Sequence, residues 1–97
     1  MNIERLTDER GENYGHPYDH FRCTQMMYNI WTNRQESNGE FIGPELDWCL
    51  RHIVYMIVDK LARAAENPMV MDNFDDIQGY ASLWRKCVRR HEEVNDG

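Results

Sequence analysis

Apolar residues recur at intervals of three and four along three stretches of the chain, with polar and turn-forming residues between them. Phe21, Thr24, Met27, Tyr28 and Trp31, widened by Ile30, make the first stripe and predict a helix over 18–37 with one face inward. Glu36-Ser37-Asn38-Gly39-Glu40 then breaks the pattern. Gly43-Pro44-Glu45 opens a second helix over 44–66, because proline is preorganised for the first helical position and Glu45 and Asp47 suit the first turn. Its stripe of Leu46, Cys49, Leu50, Ile53, Val54, Ile57, Leu61 and Ala64 is extended by Trp48, Tyr55, Met56 and Val58. So wide an apolar surface predicts a central helix, covered on more than one side or by another subunit.

Asn67-Pro68 ends that helix, and Met69-Val70-Met71 is expected to pack the short connection. A third helix over 72–93 follows, with Asp72 as its N-cap and Phe74, Ile77, Tyr80, Ala81, Trp84, Cys87 and Val88 inward. Gly79 inside it costs about 1 kcal/mol relative to alanine, which close approach of another backbone would explain. Residues 1–17 form an N-terminal arm: a helical turn near Ile3 to Leu6, a polar run, and a turn at Tyr14-Gly15-His16-Pro17. The pattern predicts one all-α domain over 1–97, a compact bundle of three main helices packed as a homo-oligomer.

The connection at 67–71 folds the second and third helices back beside each other. Lys60 and Arg63 then face Asp72, Asp75 and Asp76 across one groove. On one reading this corner is a salt-bridged hairpin in which each exposed pair contributes about 0–1 kcal/mol. On the other, the carboxylates hold Mg²⁺ or Mn²⁺ while the cations meet phosphate oxygens, and metal-activated water attacks a phosphoanhydride. His16, Asp19 and His20 stand at metal-ligand spacing, but histidines at the start of a helix are more commonly solvated, and a surface position is expected for them. His52 reads as a partly buried, hydrogen-bonded histidine within the second helix.

A net charge of −6 argues against a phosphate-tracking nucleic-acid partner, and Arg85, Lys86, Arg89 and Arg90 read as a solvated helix end. Cys23, Cys49 and Cys87 lack paired spacing and behave as small apolar residues. No stretch has the apolar length of a membrane span or signal peptide, which points to the cytoplasm.

Tyr14-Gly15-His16-Pro17, Lys60-Leu61-Ala62-Arg63, Asn67-Pro68 and Asp72-x-x-x-Asp76-Ile77-x-Gly79-Tyr80-Ala81 together resemble a family of short phage proteins of unassigned function. More distantly, the chain is similar to the all-α nucleotide pyrophosphohydrolases of the MazG and dUTPase type. Those enzymes bind Mg²⁺ through a Glu-Glu-x-x-Glu helix and a Glu-x-x-Asp helix. Asp72 and Asp76 stand for the second element, whereas Glu45, Asp47 and Asp59 do not reproduce the first. The resemblance implies a phage nucleotide-binding protein with Mg²⁺ on Asp72 and Asp76, Asp76 as the catalytic carboxylate and Lys60 and Arg63 on phosphate. Tyr14 or His16 would close over the base. The competing expectation is a non-catalytic phage protein that binds and inhibits or redirects a host protein; a nucleotide sponge or sensor is a third.

Overall fold

The computed structural model describes residues 16–39 and 43–96. They form three α-helices: α1 (Pro17–Asn38), α2 (Pro44–Glu66) and α3 (Met71–Asp96), and no strand occurs among them. Overall extents of 53 × 25 × 25 Å fit three long helices side by side, since a helix with its side chains is about 10–12 Å across. The expected all-α bundle is present, and α2 is its centre. Both other helices pack on α2, while no Cα of α1 comes within 8 Å of one in α3 among the described residues.

Local chemistry explains the helix ends. His16 is the N-cap of α1, and its Nδ1 accepts from the Tyr18 amide at 3.1 Å, with Pro17 in the first turn. Gly43, at φ +93°, admits a turn that only glycine takes without strain, and Pro44 then starts α2. Asn67 ends α2 with its amide on the Arg63 carbonyl, and its side-chain oxygen accepts from the Met69 amide at 3.3 Å. This Asx turn, with Pro68 next, reverses the chain in four residues. α3 begins at Met71, so Asp72 occupies its first turn instead of capping it.

The core is Leu46, Ile53, Val54, Val58 and Ala62 of α2, clamped by the inner faces of α1 and α3. Two ring contacts hold the clamp. Tyr28 meets Tyr55 edge to face at 5.3 Å, and Trp31 of α1 meets Trp84 of α3 at 6.4 Å. The sequence stripes predict α1 and α3 less well. α1 buries His20, Thr24 and Thr32, and leaves Phe21 and Ile30 exposed. The two threonines are tolerated inside because each hydroxyl donates to a carbonyl one turn back, at 3.1 Å. In α3 the inward position at the start of the stripe is Asn73, with Phe74 outside.

Other expectations are corrected. Leu61 and Ala81 face outward, Met69 and Met71 are exposed and do not pack the connection, and His52 is exposed. Among the described residues a Cβ on Gly79 would meet nothing within 4 Å, so no described backbone accounts for that glycine. The Ile3 to Leu6 turn and the rest of the arm before His16 lie outside the described residues.

At the end of the bundle where α2 starts and α3 finishes, Leu46, Trp48, Cys49, Cys87, His91 and Val94 border a cavity of about 700 Å³. Desolvation and the neighbouring Cys49 thiol push the Cys87 thiol up from its ordinary value. These cysteines are half-buried and unpaired, as expected of small apolar residues.

Candidate functional site

The opposite end holds the His20–Asp59–Arg63 and Lys60–Asp76 ion pairs. α1 and α3 both start there and α2 finishes there, so two helix N-termini, with their positive dipole ends, flank the last turns of α2. Asp59, Lys60 and Arg63 project from those turns. The groove between α2 and α3 holds Lys60 and Asp76 as an ion pair at 3.0 Å, with the lysine four-fifths buried and the carboxylate half-exposed. Asp72 and Asp75 are exposed beside it. The expected meeting of Lys60 with the acidic start of the third helix is therefore present.

Arg63 turns elsewhere. Its Nε donates to Asp59 Oδ2 at 3.3 Å, one turn back on the same helix. The other oxygen of Asp59 reaches across to α1, where His20 Nε2 lies 2.8 Å away. The His20 side chain is 5% exposed and that of Asp59 20%. A carboxylate only accepts, so Nε2 carries the proton of this bond. His20 was expected at the surface; it is instead a buried histidine oriented by a carboxylate. The sequence signal was present in the stripe, because His20, Thr24, Met27, Tyr28 and Trp31 keep helical spacing once polar residues are allowed inside.

Two buried side-chain atoms at this end have no hydrogen-bond partner among the described residues: His20 Nδ1 and Asn73 Nδ2. Asn73 is 3% exposed and sits one residue after Asp72. It carried no signal in the sequence, where Phe74 looked like the inward residue.

His16, Asp19 and His20 do not converge on one point, because His16 spends its Nδ1 on the helix cap and His20 its Nε2 on Asp59. Among the described residues no group of three or more His, Cys, Asp or Glu side chains is arranged to hold a metal ion. Asp72 and Asp76 lie one turn apart on α3, enough for two of the six ligands of Mg²⁺, whose other positions are commonly filled by water and substrate phosphates. Tyr14 lies outside the described residues.

A family model described as a domain of unknown function, DUF6378, matches residues 3–88. The chain belongs to the DUF6378 family. It is 29% identical over 90 residues to the Gene 55 protein of Mycobacterium phage D29, an alignment covering 92% of this chain and 50% of the relative. The DUF6378 chain thus spans about half the length of that relative. The expected kinship with a phage family of unassigned function is supported. No solved structure matches the chain. No helix among the described residues is long and apolar enough to cross a membrane.

Proposed function

We propose that this DUF6378 chain binds a nucleotide or related phosphorylated ligand at the end where α1 and α3 begin. The observation that carries this reading is the Lys60–Asp76 pair: a largely buried ammonium whose carboxylate partner is half in water. A phosphate is a stronger anion than a single carboxylate. It could take Lys60 from Asp76 at small cost, since exchange at a half-exposed pair trades one charge contact for another. Arg63, also on the last turns of α2, and the two helix N-termini would add to the attraction. Released from Lys60, Asp76 would face the same ligand together with Asp72, and Mg²⁺ carried in on the phosphates would find two carboxylate oxygens waiting. In the finer form of this reading the protein is a Mg²⁺-dependent nucleoside triphosphate pyrophosphohydrolase of the MazG type, with Asp76 on the metal. His16, at the junction with the arm, and Tyr14 within it would then close over the base.

Calorimetric titration with a panel of nucleoside triphosphates, with and without Mg²⁺, tests it. The parent should bind at least one, Lys60→Ala should weaken binding about tenfold or more, and Asp76→Asn should abolish the Mg²⁺ dependence. Binding with no pyrophosphate released would leave a sponge or sensor. Absence of binding across the panel would sink the reading.

A second reading rests on a different observation. The outer face of α1 carries Tyr18, Phe21, Met26 and Ile30, between 52% and 69% exposed, while its inner face buries two threonines and a histidine. A helix that turns its larger apolar residues outward is suited to a further partner, a second copy of the chain or a host protein. Light scattering at micromolar concentration tests the first: a monomer would refute the homo-oligomer. A cytoplasmic setting in the host belongs with both readings.

A further inference from the structure

The unpartnered atoms of His20 and Asn73 are related by the register of the bundle. α1 and α3 are parallel, since both run antiparallel to α2. Eleven residues separate His20 from Trp31, and eleven separate Asn73 from Trp84. Eleven residues are about three turns, or roughly 16 Å, and return to nearly the same face of a helix. Trp31 and Trp84 touch across the seam between α1 and α3, with ring centroids 6.4 Å apart. By register, His20 and Asn73 therefore occupy the matching places three turns nearer the helix starts, on the helix faces that carry Trp31 and Trp84. An indole pair spans the seam. An imidazole and a carboxamide are each shorter than an indole, and Nδ1 and Nδ2 are both buried without partners among the described residues.

The two atoms are complementary. In the tautomer that gives Nε2–H to Asp59, His20 presents a lone pair at Nδ1, while Asn73 Nδ2 presents an N–H. Two donors would suit an anion; a donor with an acceptor suits a group that does both. Each atom has been taken out of water without a replacement partner, which disfavours burial unless a further group pairs with it.

We infer that the His20–Asn73 gap is a binding site for one hydroxyl-type oxygen, donating its hydrogen to His20 Nδ1 and accepting from Asn73 Nδ2. The oxygen comes either from an enclosed water or from a hydroxyl of the bound ligand. The second source rests on the phosphate reading given above, and makes the ligand a sugar phosphate with a free hydroxyl, such as a ribonucleotide.

A crystal structure of the ligand-free protein together with calorimetric titration by ATP and 2′,3′-dideoxy-ATP tests the inference. An ordered oxygen within about 2.6–3.2 Å of both atoms supports the water source. Preference for ATP of tenfold or more, lost in Asn73→Leu but retained in Lys60→Ala while both nucleotides weaken, supports the ligand source. Should neither nucleotide bind, the phosphate reading fails, and the crystal density alone decides the site. No oxygen in the gap and no discrimination by the sugar, or a direct Asn73–His20 hydrogen bond closing the gap, would overturn it. Asn73→Leu is accepted only if its circular dichroism matches the parent; otherwise Asn73→Asp, close to isosteric and without the donor, replaces it.

Discussion

Replacing Asp59 should damage the protein more than replacing any exposed member of an ion pair. Its carboxylate is four-fifths buried and holds His20 Nε2 at 2.8 Å and Arg63 Nε at 3.3 Å. The Arg63 contact is an i, i+4 pair on a partly exposed arginine, worth about 0.3–0.5 kcal/mol. The His20 contact matters more, because Asp59→Ala would strand Nε2–H inside the bundle, on a ring whose Nδ1 already lacks a partner among the described residues. A stranded buried donor costs about 1–3 kcal/mol. The total is about 1.3–3.5 kcal/mol, which for a domain of this size lowers Tm by roughly 5–28 °C. The comparison is Arg51→Ala, whose partners Glu36 and Asp47 lie at 2.9 Å on the surface and whose loss should cost about 0–1 kcal/mol. Thermal unfolding of both variants at one protein concentration gives the difference. The double variant His20→Leu, Asp59→Ala should recover part of the loss, since removing both partners strands nothing. Equal Tm values for Asp59→Ala and Arg51→Ala, or a double variant worse than the sum of the single ones, would refute the assignment of a buried histidine–carboxylate pair.

Gly79→Ala should raise stability by about 0.8–1 kcal/mol, because the new methyl meets open space and the helix gains propensity; a fall in stability would mean that another subunit covers that face. Asp76→Asn should keep the fold, changing stability by no more than about 1 kcal/mol, since its carboxylate is half-exposed; urea denaturation reads this separately from any ligand effect. Cys87 should be alkylated more slowly by iodoacetamide in the native protein than in urea, as peptide mapping would show, because the raised thiol pKa leaves less thiolate. The same shift sets a sign for stability. Above the ordinary value of 9.0 the unfolded chain gives up this proton before the folded one, so stability falls as pH rises further, and Cys87→Ala should flatten that decline.

Helix number, order and ends were legible because they depend on local signals: Pro17 and Pro44 in first turns, Asn67-Pro68 at a stop, and apolar spacing near 3.6 residues between them. The Lys60–Asp76 meeting was legible too, since a four-residue connection forces the end of one helix beside the start of the next. The stripes placed Thr24, Met27, Tyr28 and Trp31 of α1 and Ile77, Tyr80, Trp84, Cys87 and Val88 of α3 inward correctly. What they did not reveal is that His20, Thr32 and Asn73 are buried while Phe21, Ile30, Phe74 and Ala81 stay outside. A hydrophobic pattern reports total apolar demand, and α1 has apolar residues on both sides. Its inner face is chosen by polar residues that satisfy themselves: Thr24 and Thr32 by bonding to their own helix, and His20 by finding Asp59, 39 residues away.

That choice connects the site to the apolar surface left outside. Turning His20 inward, where Asp59 can hold it, fixes the rotation of α1 about its axis. The rotation then leaves Tyr18, Phe21, Met26 and Ile30 exposed among the described residues. Fully burying one such side chain gains about 1.5–3 kcal/mol, comparable to the whole contribution of the His20–Asp59 bond. For an isolated chain the two demands compete, and rotating α1 to bury Phe21 would expose His20. A partner that covers the outer face removes the competition, because the apolar residues are then buried without moving the histidine. Binding on the outside of α1 and the integrity of the polar end are therefore coupled through one rotation. A variant such as Phe21→Ser, which lowers the apolar demand, should stabilise the present setting of α1 in the monomer while weakening assembly. Tm measured at low and high protein concentration separates these effects: the variant gains at the low end and loses at the high end. A uniform loss at both would show that Phe21 contributes to the fold of the single chain and that no such competition exists.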